Sequence, residues 1–241
     1  MRETIKLRAC RQRLIAHRGL SGLERENTCA SFIAAGNRSY FGIETDIHRT
    51  ADGKYIVIHD DNAKRVADVD ICIEETPFNT LRSIRMTDLD GNPRGDLLFP
   101  SLEEYILICK QYNKNSILEI KNHFDPEDIA NVIHIIRRLD WLDRTFFISF
   151  DLSNMLCIRE ILPKQPAQYL VDRFDQDLLE ILTMNHLDLD IYHRAVTPEN
   201  VAACHANGIE VNVWTVDTLE DAQRMIDCGV DYITSNIIES C

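Results

Sequence analysis

The stretch Thr197-Pro-Glu-Asn-Val-Ala-Ala-Cys-His-Ala-Asn-Gly-Ile-Glu-Val-Asn-Val-Trp-Thr-Val216 contains one complete helix-and-strand unit. Thr197 before Pro198 predicts a helix start, because a hydroxyl side chain caps free backbone N–H groups and proline suits the first helical turn. Gly208 predicts the end of that helix. The valine-rich run 210–216 predicts a strand. This order of elements favours an α/β fold.

Seven further short β-rich runs occur along the chain, and most are followed by a helical pattern. The eight predicted strands are 14–16, 42–47, 117–120, 146–150, 168–171, 187–191, 210–216 and 231–234. Most starts lie roughly 20 to 30 residues apart, the length of one strand, one helix and two loops. Eight such units in 241 residues predict a (β/α)8 TIM barrel. An open doubly wound sheet is the alternative, but its glycine-rich phosphate loop is missing.

Helix boundaries between these strands are marked by capping signals. Ser101-Leu-Glu-Glu104 is a capping box that predicts a helix through about Tyr112. Asp125-Pro126 predicts a second helix, which runs to about Leu139. The stretch 218–228, which Gly229 follows, repeats the pattern.

One spacing is much longer than the others. The second and third predicted strands start at residues 42 and 117, which leaves roughly 50 residues beyond one ordinary repeat. Asp52-Gly53 predicts a β-hairpin, and residues 62–100 are polar with several turn signals. We therefore predict one domain over residues 1–241, with an insertion at 62–100. Long functional loops belong to the carboxyl-terminal end of a barrel, so the insertion is expected there.

Composition narrows the possible partners. The formal net charge of −13 argues against nucleic-acid or acidic-membrane binding through a basic surface. Residues 1–13 carry five basic side chains without a signal-peptide-like apolar stretch, and no run approaches the ~18 apolar residues of a membrane span. The eight cysteines are scattered, which predicts reduced thiols and a cytoplasmic protein. The oligomeric state is not indicated.

The predicted hairpin brings acidic side chains and a histidine together. With a two-residue loop at Asp52-Gly53, Asp46 lies opposite His59, with their Cβ atoms ~5 Å apart. Glu44 shares the strand face of Asp46, because side chains alternate along a strand. Solvated edge residues are the simpler alternative. However, the residues between the acids are suited to the helix-packed face, so the acids are expected to point into the barrel.

A third carboxylate, Glu119, lies on the next predicted strand and shares its face with Lys121. Buried carboxylates repel one another unless a cation or a proton compensates them. We therefore predict that Glu44, Asp46 and Glu119 hold one divalent cation, and their all-oxygen set favours Mg²⁺ or Ca²⁺. The alternative for Glu119 alone is a structural ion pair with Lys121.

His17-Arg18-Gly19 closes the first predicted strand. A histidine at a strand end suits proton transfer, and an adjacent arginine suits anion binding. As an isolated tripeptide this signal is weak, and its value comes from its position at the same end of the barrel.

In combination, these motifs resemble those of the glycerophosphodiester phosphodiesterase family. The resemblance covers about residues 14 to 236, and it is most specific between His17 and Asp60. The matching motifs are His17-Arg18-Gly19, Glu26-Asn27-Thr28, Glu44-x-Asp46, Thr50-x-Asp52-Gly53, His59-Asp60, Glu119-Ile-Lys121 and Val213-Trp-Thr-Val216.

The resemblance implies a TIM barrel with a small insertion after strand two, and a small glycerophosphodiester as substrate. It also implies a divalent cation, Mg²⁺ or Ca²⁺, on Glu44, Asp46 and Glu119. It implies that His17 and His59 are the general acid and base, without indicating which is which. The other implied roles are phosphate binding for Arg18 and Lys121, and contact with the glycerol or alcohol moiety for Trp214.

Departures from the family pattern are modest. Arg25 stands where proline often precedes Glu-Asn-Thr, and Asp217 replaces the asparagine that commonly ends the Val-Trp-Thr-Val motif. These departures leave open the shape of the substrate mouth, and hence which alcohol group the enzyme prefers. Two alternatives stay open: a lysophospholipase-D or sphingomyelinase-D-like enzyme, and a barrel that binds phosphodiesters without catalysis. His123 and His193, at strand ends, could also reach the mouth.

Overall fold

The computed structural model describes residues 3–8 and 11–241. Met1, Arg2, Ala9 and Cys10 lie outside the described residues, so part of the basic amino-terminal stretch and one of the eight cysteines are not covered.

Strands and helices alternate along most of the chain. The strands are β1 (Ile5–Leu7), β2 (Arg13–Ala16), β3 (Gly42–Arg49), β4 (Tyr55–Val57), β5 (Asn115–Ile120), β6 (Thr145–Ser149), β7 (Ala167–Val171), β8 (Asp188–Tyr192), β9 (Val211–Trp214), β10 (Tyr232–Ser235) and β11 (Ile238–Ser240). The helices are α1 (Cys29–Gly36), α2 (Lys64–Ala67), α3 (Phe78–Ser83), α4 (Leu102–Gln111), α5 (Pro126–Arg138), α6 (Leu152–Ile161), α7 (Leu178–Asn185), α8 (Pro198–Ala206) and α9 (Leu219–Cys228).

Eight of these strands, β2, β3 and β5 to β10, form a closed parallel barrel. The ring closes because β2 pairs with both β3 and β10; Ile233 of β10 lies opposite Leu14 of β2. The predicted TIM barrel is therefore confirmed, and the open-sheet alternative is wrong. Each of the eight predicted strands corresponds to one barrel strand.

Helix starts follow the predicted caps. Ser101 forms a capping box with Glu104 at the start of α4, and the Thr197 side chain accepts from the Asn200 backbone N–H before α8. Asp125 occupies the N-cap position of α5, although its side chain forms no capping hydrogen bond.

Alternation along β3 separates two environments. Ile43 and Ile47, fully buried, belong to the large core between barrel and helices. Glu44 and Asp46 alternate with them and lie on the inner face. Inside the barrel a smaller apolar cluster includes Ile15, Ile117, Ile148, Leu170 and Tyr232. Polar side chains at the barrel end therefore rest on a packed apolar floor.

The hairpin register differs from the prediction by one residue. Ile47 lies opposite Val57, and Arg49 lies opposite Tyr55. The loop has three residues, 51–53, because the Thr50 N–H donates to the Lys54 carbonyl at 2.8 Å and Gly53 adopts a φ of 70°. The predicted pairing of Asp46 with His59 is therefore wrong.

The segment that follows β4 contacts the loop beyond the carboxyl-terminal end of β5, where the Asn122 amide donates to Glu74 Oε1 at 3.0 Å. It contains its own apolar cluster, in which Ile73, Met86 and Phe99 are buried, although its sequence reads as polar. Arg25, in the loop after β2, donates to the carbonyls of Thr87 and Asp88 at 2.5 Å each and so holds the segment to the barrel. The boundaries 62–100 stay a prediction.

Seven barrel strands are followed by an outer helix. After β10, the chain instead forms β11, which pairs in parallel with β1. Among the described residues, no helix is long and apolar enough to cross a membrane.

Candidate active site

The predicted site residues meet at the carboxyl-terminal end of the barrel. A cavity of about 50 Å³ opens there. Its lining includes His17, Arg18, Glu44, His59, Glu119 and Trp214, together with Ile148, Phe150, Leu170, Asp190 and Thr234.

Three carboxylates cluster at one side of this cavity. Each of Glu44, Asp46 and Glu119 offers an oxygen within 4.8 Å of the other two, and all three side chains are buried. The Asn27 amide donates to Asp46 Oδ2 at 2.7 Å, and the Thr45 hydroxyl donates to Asn27 Oδ1 at 2.7 Å. The cluster is therefore positioned by both β3 and the loop after β2.

Burial and mutual repulsion disturb the titration of these acids. Burial raises the pKa of Glu44 well above its usual range, and the charges of Asp46 and Glu119 add to the shift. Burial and Asp46 likewise raise the pKa of Glu119 to about 8. For Asp46, burial acts in the same direction, but the charges of Arg18 and Lys121 outweigh it and lower the pKa.

The donor set fits a divalent cation. Asp46 Oδ1 is buried and has no hydrogen-bond partner, and Lys121 Nζ is 3.7 Å away from it, beyond hydrogen-bonding distance. Buried charges in proteins are paired or bind metals. Three clustered carboxylates with an unpartnered oxygen form the kind of oxygen site that Mg²⁺ and Ca²⁺ prefer.

Two cationic side chains border the carboxylates. Lys121 Nζ is 2.8 Å from Glu119 Oε1, so the ion pair considered as the alternative for Glu119 is present, while Glu119 also belongs to the carboxylate cluster. Arg18 Nη1 is 2.9 Å from Glu26 Oε1, while its buried Nε has no hydrogen-bond partner. An unpartnered guanidinium N–H beside a cavity is suited to an anionic ligand.

His17 lies one residue beyond β2. Its backbone N–H donates to the Ser235 carbonyl at 2.9 Å, and its ring Nδ1 is 2.7 Å from Asn236 Oδ1. Burial, aided by the charge of Arg18, lowers the pKa of His17 to about 4. The imidazole is therefore neutral at pH 7 in this environment.

His59 has a different partner, a carboxylate. Its Nδ1 is 2.7 Å from Asp60 Oδ1, and Arg65 Nε donates to Asp60 Oδ2 at 2.6 Å. Burial lowers the pKa of His59, whereas Asp46 and Asp60 oppose that shift. Although His59 is not opposite Asp46 in the ladder, it still lines the cavity.

Aromatic rings form one wall of the cavity. The Trp214 ring centroid lies 5.7 Å from that of Phe150 and 5.5 Å from that of Tyr192. The Trp214 indole N–H is buried without a partner. Such a wall suits the carbon skeleton of a small polar ligand, with the N–H free to donate.

The sequence predictions missed two residues that belong to this site. Asp190 is buried on β8, lines the cavity, and has an unpartnered Oδ1; burial raises its pKa well above the usual range. Its alternation with Leu189 and Ile191 could have identified it as inward-facing. Asn236 carries no comparable signal, because its contact with His17 depends on the closure of the barrel.

Three other histidines occupy different environments. His48 is fully buried, and Glu74 Oε1 of the inserted segment lies 3.1 Å from its Nδ1. His123 is exposed and contacts Asp151. His193 is buried, and Arg224 lies 3.0 Å from its Nδ1.

The fold and these side chains define a TIM-barrel phosphoric diester hydrolase. Residues 17–240 match the model of the glycerophosphoryl diester phosphodiesterase family. The chain belongs to this family, which confirms the resemblance seen in the sequence.

Individual relatives agree over nearly their full length. A glycerophosphodiester phosphodiesterase of Caldanaerobacter subterraneus subsp. tengcongensis is 28% identical over 229 residues, which cover 92% of this chain and 93% of the relative. The solved structure of an Oleispira antarctica phosphodiesterase in complex with the product sn-glycerol-3-phosphate is 26% identical, with a TM-score of 0.86 and 93% of each chain covered. A glycerophosphodiester phosphodiesterase structure from Parabacteroides distasonis is 27% identical, with a TM-score of 0.79, covering 94% of this chain and 93% of that one.

Proposed function

We propose that the enzyme hydrolyses small glycerophosphodiesters, such as glycerophosphocholine and glycerophosphoethanolamine, to glycerol 3-phosphate and an alcohol. The observation that carries this proposal is the cavity where three carboxylates, two histidines and the Arg18 guanidinium converge within a barrel of this family. The product that the Oleispira antarctica relative binds, sn-glycerol-3-phosphate, supports the same substrate class.

In this proposal Glu44, Asp46 and Glu119 hold one divalent cation, Mg²⁺ or Ca²⁺. When bound, the cation would polarise a phosphoryl oxygen as a Lewis acid. The other phosphoryl oxygens accept hydrogen bonds from Arg18 and Lys121, which solves the problem of binding an anion to a chain of net charge −13. Trp214 contacts the glycerol or alcohol carbon skeleton.

Proton transfer falls to the two histidines. We assign His17 as acceptor of the proton from the attacking hydroxyl, either the substrate's own glycerol hydroxyl, with water then opening the cyclic phosphate, or water itself. Its neutral imidazole turns Nδ1 to an amide oxygen and leaves Nε2 for the cavity. We assign His59 as proton donor to the departing alkoxide, since Asp60 at 2.7 Å stabilises its protonated form. Each transfer contributes typically ~10²–10⁴ in rate.

A cytoplasmic location is part of the same proposal. It is supported by the seven cysteines at described positions, which are all unpaired thiols, and it stays a prediction.

An assay of the purified protein tests the function. With Mg²⁺ or Ca²⁺ it should release glycerol 3-phosphate from glycerophosphocholine, and EDTA should stop the release. His17→Ala and His59→Ala should each lower kcat by at least ~10²-fold while the far-ultraviolet circular dichroism spectrum is unchanged. His134→Ala, on the exposed side of α5, is a matched control and should retain wild-type kcat.

Two other outcomes would identify the alternatives. Faster turnover of lysophosphatidylcholine or sphingomyelin than of glycerophosphocholine would indicate a lysophospholipase-D or sphingomyelinase-D-like enzyme. Binding of glycerophosphocholine without turnover under any divalent cation would indicate a binding protein. Either result would overturn the proposal.

A further inference from the structure

A chain of hydrogen bonds links His17 to Asp217, which lies outside the cavity. Asn236 Nδ2 donates to Asp217 Oδ2 at 2.6 Å, and the Asn236 backbone N–H donates to Asp217 Oδ1 at 2.8 Å. The opposite side of the same amide, Asn236 Oδ1, is 2.7 Å from His17 Nδ1 and 2.6 Å from Ser21 Oγ. Asp217, Asn236 and His17 are thus joined by direct contacts.

The Asp217 carboxylate determines which way the Asn236 amide faces. An ionised carboxylate only accepts hydrogen bonds, whereas an asparagine amide has one donating and one accepting end. The NH₂ end must therefore face Asp217, and the carbonyl end must face His17. A Ser235 hydroxyl at 3.0 Å and the fixed backbone N–H of Asn236 hold the carboxylate in this place.

The orientation of the amide in turn selects the form of His17. Because Asn236 Oδ1 can only accept, a neutral His17 places its proton on Nδ1 and its lone pair on Nε2. The nitrogen that remains for the cavity is then a proton acceptor. In the reverse tautomer, two acceptors would face each other at 2.7 Å, and the contact would be lost.

We propose that Asp217 is a positioning residue that acts through Asn236 to keep the proton of His17 on Nδ1 and the lone pair on Nε2. The catalytic consequence rests on the proposed function, in which His17 accepts a proton through Nε2. The assignment of the His17 tautomer does not rest on the proposed function, because it follows from the hydrogen bonds alone.

Asp217→Asn is the decisive substitution. Asparagine is common at this position in the family, but in this chain residue 217 faces the side-chain amide of Asn236, so the change preserves shape and removes the acceptor-only partner of that amide. The backbone N–H of Asn236 cannot rotate, so the carbonyl oxygen of the substituted side chain must stay beneath it, and the new NH₂ group faces the Asn236 amide. That amide is then expected to turn over and donate to His17 Nδ1. This would move the proton of His17 to Nε2 and lower kcat by about 10²-fold or more at unchanged KM.

A double variant should reverse this effect. In Asp217→Asn with Asn236→Asp, the NH₂ group introduced at position 217 donates to the new carboxylate at position 236, whose second oxygen again accepts from His17 Nδ1–H. We expect the Nδ1–H tautomer to return and kcat to recover at least about tenfold over the single variant. A non-additive recovery of this kind is the signature of residues that act as one unit.

The measurements separate positioning from loss of structure. Nitrogen-15 NMR of labelled histidine, in EDTA to avoid cation effects, reports the tautomer of His17, and thermal unfolding reports folding. Asp227→Asn is the matched control, an exposed acid-to-amide change on α9 that contacts Gln223. It should leave both the tautomer and kcat at wild-type values.

The outcomes distinguish the two proposals. An Nδ1–H tautomer that persists in folded Asp217→Asn would overturn the positioning role, and so would a changed tautomer with wild-type kcat. A wild-type protein that hydrolyses no glycerophosphodiester would refute the proposed function alone, because the NMR result would still decide how Asp217 acts on His17.

Discussion

The backbone N–H of Arg18 donates to Glu44 Oε2 at 2.7 Å. The residue proposed to bind phosphate thus also orients a proposed cation ligand, but it does so through its main chain. Arg18 has a φ of 52°, which turns its N–H toward β3 and its side chain toward Glu26 and Asp46. The two roles of Arg18 can therefore be separated by changing the side chain alone.

Arg18→Lys is expected to raise KM for glycerophosphocholine by about 10-fold to 100-fold. A lysine cannot replace the planar guanidinium, and a lost hydrogen bond to a charged group is worth about 1.5–3 kcal/mol. Cation affinity should stay at the wild-type value, since the backbone N–H remains. Steady-state kinetics and calorimetric titration with Mg²⁺ or Ca²⁺ measure the two quantities. Arg138→Lys, on an exposed position of α5, is the control, and weakened cation binding in Arg18→Lys would contradict the main-chain role.

Glu44→Gln should have opposite effects on stability with and without cation. In EDTA, burial raises the pKa of Glu44 in the folded protein. The stability that protonated Glu44 contributes is therefore fully present below its pKa in the unfolded chain, and it is lost as the pH rises through its pKa in the folded protein. At pH 8 the variant, which carries no charge, should therefore unfold at a temperature higher by about 2–4 °C per kcal/mol gained.

Saturating cation should reverse this order. A ligand at 100 times its Kd stabilises the wild type by about 2.7 kcal/mol, and the variant lacks one ligand charge. Glu103→Gln, exposed on α4, should match the wild type in both conditions. If Glu44→Gln is less stable than wild type in EDTA as well, the three carboxylates do not repel one another as inferred.

Asp188→Asn tests a half-buried acid that does not line the cavity. Burial, with Glu210 and Asp231 nearby, raises the pKa of Asp188 from 3.8 to about 6. The stability that its protonated form contributes is present below pH 3.8 and is lost as the pH rises through about 6. Between pH 5 and pH 8 the wild-type free energy of unfolding should therefore fall by about 1–2 kcal/mol more than that of the variant.

Urea unfolding at both pH values measures that difference. Asp188 Oδ1 accepts from the Glu210 N–H at 2.9 Å, a bond that the asparagine carbonyl keeps, so the change isolates the charge. Asp140→Asn, an exposed carboxylate, should follow the wild-type profile. Parallel profiles of wild type and Asp188→Asn would show that Asp188 titrates normally.

Gly53→Ala tests the three-residue hairpin loop. Gly53 has a φ of 70°, and an added Cβ would meet only Arg49 Nη2, at 3.5 Å, so the expected loss of about 1–2 kcal/mol arises from the backbone conformation. Urea unfolding measures the loss. Gly95→Ala, at a site with open space and no positive φ, should be neutral, and an equally neutral Gly53→Ala would contradict the loop geometry.

The barrel could be predicted from the sequence because its signals are local. Capping residues such as Ser101 and Thr197 mark helix starts, and alternation along β3 separates Ile43 and Ile47 from the acids between them. Strand number follows from spacing alone. The carboxylate cluster could be predicted for the same reason, since parallel strands end at the same side of a barrel.

Features that depend on distant contacts could not be predicted in the same way. Asp52-Gly53 is compatible with a two-residue or a three-residue loop, and the choice shifts the whole register by one position. The inserted segment reads as polar because its buried residues, among them Ile73, Met86 and Phe99, are far apart in sequence. The burial of His48 depends on its contact with Glu74 of this segment, and no local pattern around His48 indicates that contact.

The closure of the barrel between β2 and β10 also sets an order in time. A ribosome makes His17 early and Asn236 more than two hundred residues later, so a nascent chain carries the histidine long before the amide that orients it. Until β10 emerges, β2 has only β3 beside it and the ring stays open. Competence for hydrolysis therefore arrives only as synthesis nears the end of this domain, and a truncated translation product lacking β10 has no assembled site.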